Sequence, residues 1–172
     1  MSKLYIGIDP GKKGYICIME GEAITFHPIP LIGKEFDIHN LFELLFKIAN
    51  TDSNIHCVVE DVHALFNSSA GATFSFGFGL GVIEGILVSL LVPYTKIAPK
   101  KWQKELHQGI AVQQKKSSTG KTMVNNTKLM SEMAAKRLFP KVDLRASERC
   151  KKSHDGKVDS LLICEFCKRN FK

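Results

Sequence analysis

The sequence has no unbroken apolar run long enough for a clean membrane span. Its longest such stretch, around Val82 to Val92, is interrupted by Glu84, Gly85 and Ser89, short of the ~18 residues a span requires. A membrane-spanning chain is therefore not expected. The start does not read as a signal peptide either, because Met1-Ser2-Lys3 runs straight into a strand-like segment. A cytoplasmic protein is expected. Cysteine is sparse and odd in number: Cys17, Cys57, Cys150, Cys164 and Cys167. Cys17 and Cys57 sit in apolar runs, which argues for reduced thiols and against a disulfide framework. Zinc-ligand types do occur in Cys150-x3-His154 and Cys164-x2-Cys167. Their spacing is not a standard zinc pattern, and Cys164 falls in one turn of an apolar helix, so zinc is not expected. Basic side chains are scarce early in the chain: residues 1–95 carry 5 basic and 10 acidic residues, against 19 and 7 in residues 96–172.

What is present is ordinary globular composition, 44% hydrophobic and 24% charged over 172 residues. That excludes a mostly disordered chain and fits one domain over residues 1–172. The net charge of +7, concentrated in the second half, suggests one face built to meet a polyanion. A merely solvated basic surface would look the same, so the acidic residues must decide.

Leu4–Ile8, Tyr15–Met19 and Ala23–His27 read as a three-stranded antiparallel meander, with turns at Asp9-Pro10-Gly11 and Glu20-Gly21-Glu22. Ile38, Leu41, Phe42, Leu45 and Ile48 have helical spacing, and Asp37 is placed to cap that helix. Ile55–Val59 is a buried strand ending at Glu60, and 61–72 reads as a loop. A helix follows from about Thr73 to Leu91, then a short strand at Thr95–Ala98. Pro99 opens another helix that runs to about His107. Residues 109–126 are polar and aperiodic, and read as a mobile basic loop. Thr127–Leu138 is an amphipathic helix, Leu144–Ser153 a second basic loop, and His154 to about Lys168 a final helix. The expected fold class is α/β, a mixed five-stranded sheet with three antiparallel strands, then two parallel ones, and helices on both faces.

Four carboxylates carry the chemistry. Asp9 ends the first strand and Glu60 the fourth, so both can point into one crevice. Asp155 and Asp159 stand four apart, on one face of a helix. Each alone is an unremarkable turn, strand-end or surface acid. Together they would repel strongly unless a cation sat among them, and hard oxygen donors favour Mg²⁺ or Mn²⁺. The chemistry expected is two-metal phosphodiester hydrolysis, one ion activating water and the other steadying the leaving 3′ oxygen.

These residues fall in three motifs. Ile6-Gly7-Ile8-Asp9-Pro10-Gly11, Val58-Val59-Glu60-Asp61-Val62-His63-Ala64 and His154-Asp155-Gly156-Lys157-Val158-Asp159-Ser160-Leu161-Leu162 resemble the motifs of the RuvC-like Holliday junction resolvases of the RNase H-like superfamily. The i,i+4 acid spacing and the His-Ala after the glutamate resemble phage and plastid members more than bacterial RuvC, where i,i+3 is usual. The resemblance spans Tyr5 to Cys167. It implies an RNase H-like nuclease, a homodimer that nicks two opposing strands of a four-way DNA junction. It also implies a basic residue beside the scissile phosphate, matched by Lys128, and a side chain entering the junction centre from the loop after the second motif, where His63, Leu65 and Phe66 fall. Lys100, Lys101, Lys104 and Lys121 are candidate phosphate contacts. Gly77, Gly81 and Gly85 recur every four residues along one helix face, which invites close backbone approach, either to a second copy or to the chain's own sheet. Phe74, Phe76 and Phe78 are expected in the core or an interface, and Trp102 in the core.

Other readings remain. A different RNase H-like nuclease would act on branched DNA or RNA–DNA hybrids. A non-catalytic DNA-binding protein would explain the charge but not the acids. Asp9-Pro10-Gly11-Lys12-Lys13-Gly14 also resembles the phosphate loop of actin-like sugar kinases, but those need two lobes. Gly120-Lys121-Thr122 is no phosphate loop, because Lys115 stands where a Gly is required.

Overall fold

Alternation of side chains along the first strand sets the architecture. In a computed structural model describing residues 2–51, 53–61, 69–117 and 119–171, strand β1 (Lys3–Ile8) sends Leu4, Ile6 and Ile8 to one face and Tyr5 to the other. β2 (Tyr15–Glu20) pairs antiparallel with β1, and β3 (Ala23–Pro28) antiparallel with β2. β6 (Asn54–Glu60) lies parallel on the other side of β1, and β7 (Tyr94–Ile97) parallel beyond β6. The sheet order is β3-β2-β1-β6-β7, the mixed sheet expected. Two-residue strands β4 (Leu31–Ile32) and β5 (Glu35–Phe36) form a small hairpin before the first helix.

Helices cover both faces. On one lie α1 (Ile38–Ala49) and α2 (Ala70–Ser89), burying Leu41, Leu45, Ile83 and Leu87 against the Leu4, Ile6 and Ile8 face. Asp37 caps α1 as expected, its carboxylate accepting from the Asn40 N–H at 3.0 Å. On the other lie α3 (Pro99–Leu106), α4 (Thr127–Leu138) and α5 (Asp155–Asn170), packed through Trp102, Ala134, Leu161 and Leu162. α5 sits unusually close to the sheet. A Cβ on Gly7 would lie 2.2 Å from the Cys164 backbone N and 2.5 Å from the Ser160 carbonyl O. A Cβ on Gly156 would lie 2.2 Å from the Lys13 carbonyl O. Only glycine lets the helix reach both β1 and the turn after it.

Two expectations change and two alternatives narrow. Residues 114–125 are not simply loop: β8 (Gln114–Lys116) and β9 (Met123–Asn125) form an antiparallel hairpin. All six strand residues are exposed, so no inside–outside alternation marks them in the sequence. α2 begins at Ala70, where Ser69 caps it through the Ala72 N–H, earlier than Thr73. At 20 residues and mean hydropathy 1.6 it is, among the described residues, one helix long and apolar enough to cross a membrane by length and composition. Its Ile83 and Leu87 are nonetheless committed to the sheet, and its Glu84 to Lys96 at 2.9 Å. Finally, the Gly77, Gly81 and Gly85 face does not pack on the chain's own sheet. Among the described residues, a Cβ at any of the three would meet nothing within 4 Å. Phe74 and Phe78 are likewise outside the core, 75% and 44% exposed.

The thiols are buried apart from Cys150. Cys164 and Cys167 point into the core, donating to the Tyr5 and His56 carbonyls, whereas Cys150 contacts Ser147. Among the described residues, Cys150, His154, Cys164 and Cys167 do not gather into a group of three or more ligands.

Candidate active site

The parallel pairing of β1 with β6 brings the first two acids together. Ile8 stands opposite Val59, so the next residues along, Asp9 and Glu60, leave the same end of adjacent strands. Asp9 is held by its own turn: its N–H donates to the Tyr15 carbonyl at 3.0 Å, and its carboxylate accepts from the Gly11 N–H at 3.2 Å. The close seat of α5 then delivers Asp155 and Asp159 to the same place. A pocket of about 450 Å³ opens there, lined by Asp9, Asp155, Asp159, Lys128, Lys13 and His154 among others. Glu60 is buried, 9% exposed, and does not line the pocket.

The electrostatics show one mutually coupled group. Burial, reinforced by the charges of Asp9 and Asp159, pushes the Glu60 carboxyl up from an ordinary 4.5 to about 8. Burial, with Asp9 and Asp155, pushes Asp159 from 3.8 to about 7. Burial, with Asp155, pushes Asp9 from 3.8 to about 6, against the Gly11 N–H and Lys128, which favour its charge. Lys128, at the start of α4, ion-pairs with Asp155, and that hydrogen bond raises the ammonium's own pKa.

The donor set fits a divalent cation. Asp9, Glu60 and Asp159 are hard oxygen donors whose ionised forms are penalised by burial and by neighbouring carboxylates, a penalty that a bound cation relieves. Among the described residues no three His, Cys, Asp or Glu side chains already converge as a ready-made ion site. The Lys128 ammonium pairs with Asp155 and lies near enough to Asp9 and Asp159 to favour their charged forms.

Two supports escaped the sequence reading. Trp102 is fully buried, as expected, but its indole Nε1–H also donates to Glu60 Oε1 at 3.0 Å. A buried tryptophan needs an acceptor for that N–H, which was the available signal. Behind Asp159, the Ser131 hydroxyl donates to the carboxylate and lies 3.1 Å from His107 Nε2. Ser131 is 1% exposed within α4, and a polar side chain gives no sign of burial in the sequence, so only packing reveals it.

Of the other predicted contacts, Lys100, Lys101 and Lys104 are exposed on α3, which starts directly after β7 at the Glu60 end of the sheet. Lys121 is exposed in the turn of the β8–β9 hairpin. None of these four lines the carboxylate pocket. His63, Leu65 and Phe66 lie outside the described residues.

No family model matches the chain, and no curated protein matches it. Solved structures do. Thermus thermophilus RuvC aligns over 94% of this chain and 90% of its own, at 16% identity and a TM-score of 0.55. T. thermophilus RuvC in complex with Holliday junction substrate aligns over the same shares, at 13% identity and a TM-score of 0.51. At such identities the likeness is one of fold. With the sheet order and helix placement described above, it gives this chain the RuvC-like RNase H-like fold.

Proposed function

We propose that this chain is a divalent-metal-dependent endonuclease that resolves four-way DNA junctions by paired nicks in opposing strands. The observation that carries the reading is the coupled set of Asp9, Glu60 and Asp159, delivered by two strands and a helix to one end of the sheet beside Lys128. The shared fold and the junction bound by its structural neighbour support the choice of substrate.

Asp9, Glu60, Asp155 and Asp159 would hold Mg²⁺ or Mn²⁺, two ions on this reading, which supply an activated water and stabilise the leaving oxygen. The chain's own part is positioning. Trp102 and Ser131 fix the carboxylates they touch. Lys128, once released from Asp155, presents its ammonium to the scissile phosphate. Lys100, Lys101, Lys104 and Lys121 contact flanking backbone phosphates, and His63 or Phe66 meets the opened junction centre. The open face of α2, with Gly77, Gly81, Phe74 and Phe78, supports a homodimer, which the two-fold symmetry of paired nicking requires.

The test is cleavage of an end-labelled four-way junction, a matched linear duplex and an RNA–DNA hybrid, each with Mg²⁺, Mn²⁺ or EDTA. Paired, metal-dependent nicks near the junction centre, with the linear duplex intact, are expected. Hybrid cleavage alone would keep the site and change the substrate. Tight junction binding without any cleavage would leave a DNA-binding protein.

A further inference from the structure

Next to the carboxylate pocket lies a second pocket, of about 380 Å³, where the end of α4 meets the loop leading to α5. Phe139, Pro140 and Val142 contribute apolar surface, and Lys136, Arg145 and Lys151 basic groups. Ser153 lines both pockets, so they share a wall.

The loop is pinned in place. Arg145 and Ser153 form a β-bridge, the His154 N–H donates to the Leu144 carbonyl at 2.7 Å, and the Lys157 ammonium donates to the Arg145 carbonyl at 2.8 Å. Two of the three basic groups are already matched. Lys136 pairs with Glu132 at 2.6 Å, and the Arg145 guanidinium clasps the Asp143 carboxylate at 2.8 and 2.9 Å. Lys151 makes no ion pair or hydrogen bond among the described residues and is exposed. An unmatched ammonium beside apolar surface suits a sugar-phosphate unit, which presents an anionic oxygen and a carbon face together.

We propose that this pocket seats a backbone phosphate of the DNA strand passing through the carboxylate crevice, with Lys151 as its charged contact and Pro140 and Val142 against the sugar. The pocket then fixes the register of the strand relative to the carboxylates. The inference rests on the nuclease reading and adds a subsite to it.

The experiment is binding of a fluorescent four-way junction in EDTA, where no cutting occurs, across a salt series. Lys151→Ala is compared with Lys141→Ala, an exposed neighbour outside the pocket, and with Lys151→Arg. Lys151→Ala is expected to weaken binding on the order of fivefold and to lower the slope of log K against log salt by about 0.9, one phosphate contact. Lys141→Ala and Lys151→Arg are expected to stay near wild type. A methylphosphonate walked along the strand should cost the wild type a similar factor at one position flanking the cut, and cost Lys151→Ala nothing more there.

Unchanged binding by Lys151→Ala overturns the subsite and leaves the nuclease reading intact. So does equal weakening by Lys141→Ala, or a methylphosphonate profile without such a position, because both describe a diffuse field. A wild-type protein that binds no DNA overturns the subsite and the nuclease reading together. Matching thermal midpoints for all variants establish that the compared proteins are folded.

Discussion

Removing the Glu60 charge should make the metal-free protein more stable while abolishing cleavage. The Glu60 carboxyl titrates at about 8 in the fold, against an ordinary 4.5, because it is buried beside Asp9 and Asp159. The folded state therefore binds more protons than the unfolded state between those values, and stability falls as pH rises through that window. At ~1.4 kcal/mol per pH unit the full separation approaches ~5 kcal/mol. Asp9 and Asp159 share the same repulsion and adjust their own protonation, which leaves on the order of 3 kcal/mol for Glu60 alone. Glu60→Gln keeps the shape and an acceptor for the Trp102 N–H, and removes this penalty. For a chain of this size, such a gain raises the thermal midpoint by roughly 5–10 °C at pH 8. At pH 5, where the wild-type carboxyl is protonated in the fold, the difference should shrink to under ~1 kcal/mol. Saturating Mg²⁺ should narrow the gap at pH 8 by stabilising only the wild-type ligand set. Calorimetry in EDTA at both pH values, then in Mg²⁺, checks all three. A Glu60→Gln protein no more stable than wild type at pH 8, or a gain equally large at pH 5, would refute the argument.

Asp9→Asn and Asp159→Asn should each abolish junction cleavage while retaining junction binding; full activity in either would remove that residue from the site. Lys128→Ala should slow cutting more than it weakens binding, as read by single-turnover rates against Kd, and the reverse would make it a plain phosphate clamp. Ser131→Ala withdraws a hydrogen bond that favours the Asp159 charge, so the acidic limb of the pH–rate profile should move to higher pH with a reduced maximum; an unmoved limb would confine Ser131 to packing. Gly7→Ala places a methyl against the backbone of α5 and should cost about 3 kcal/mol in urea unfolding, with loss of cleavage because the helix that moves carries Asp159.

Local chemistry made much of this chain legible from its sequence. Continuous apolar, β-prone runs at 4–8, 15–19 and 55–59, the Asp37 cap and the Pro99 start are written in a few adjacent residues, and the structure holds them within one or two positions. The four acids could be nominated together because strand ends and an i,i+4 helical pair confine where their side chains go. Packing decided the rest. The β8–β9 hairpin has no buried face, so no pattern announces it. The glycine face of α2, open among the described residues, and the fit of Gly7 and Gly156 against backbone depend on which element comes to lie beside them. The coupling of Asp9 with Glu60 and Asp159, the Trp102 bond and the His107–Ser131 chain join residues far apart in sequence. A side chain's charge is fixed by its identity, but its desolvation and its neighbours exist only once the sheet has formed and α5 has closed onto it.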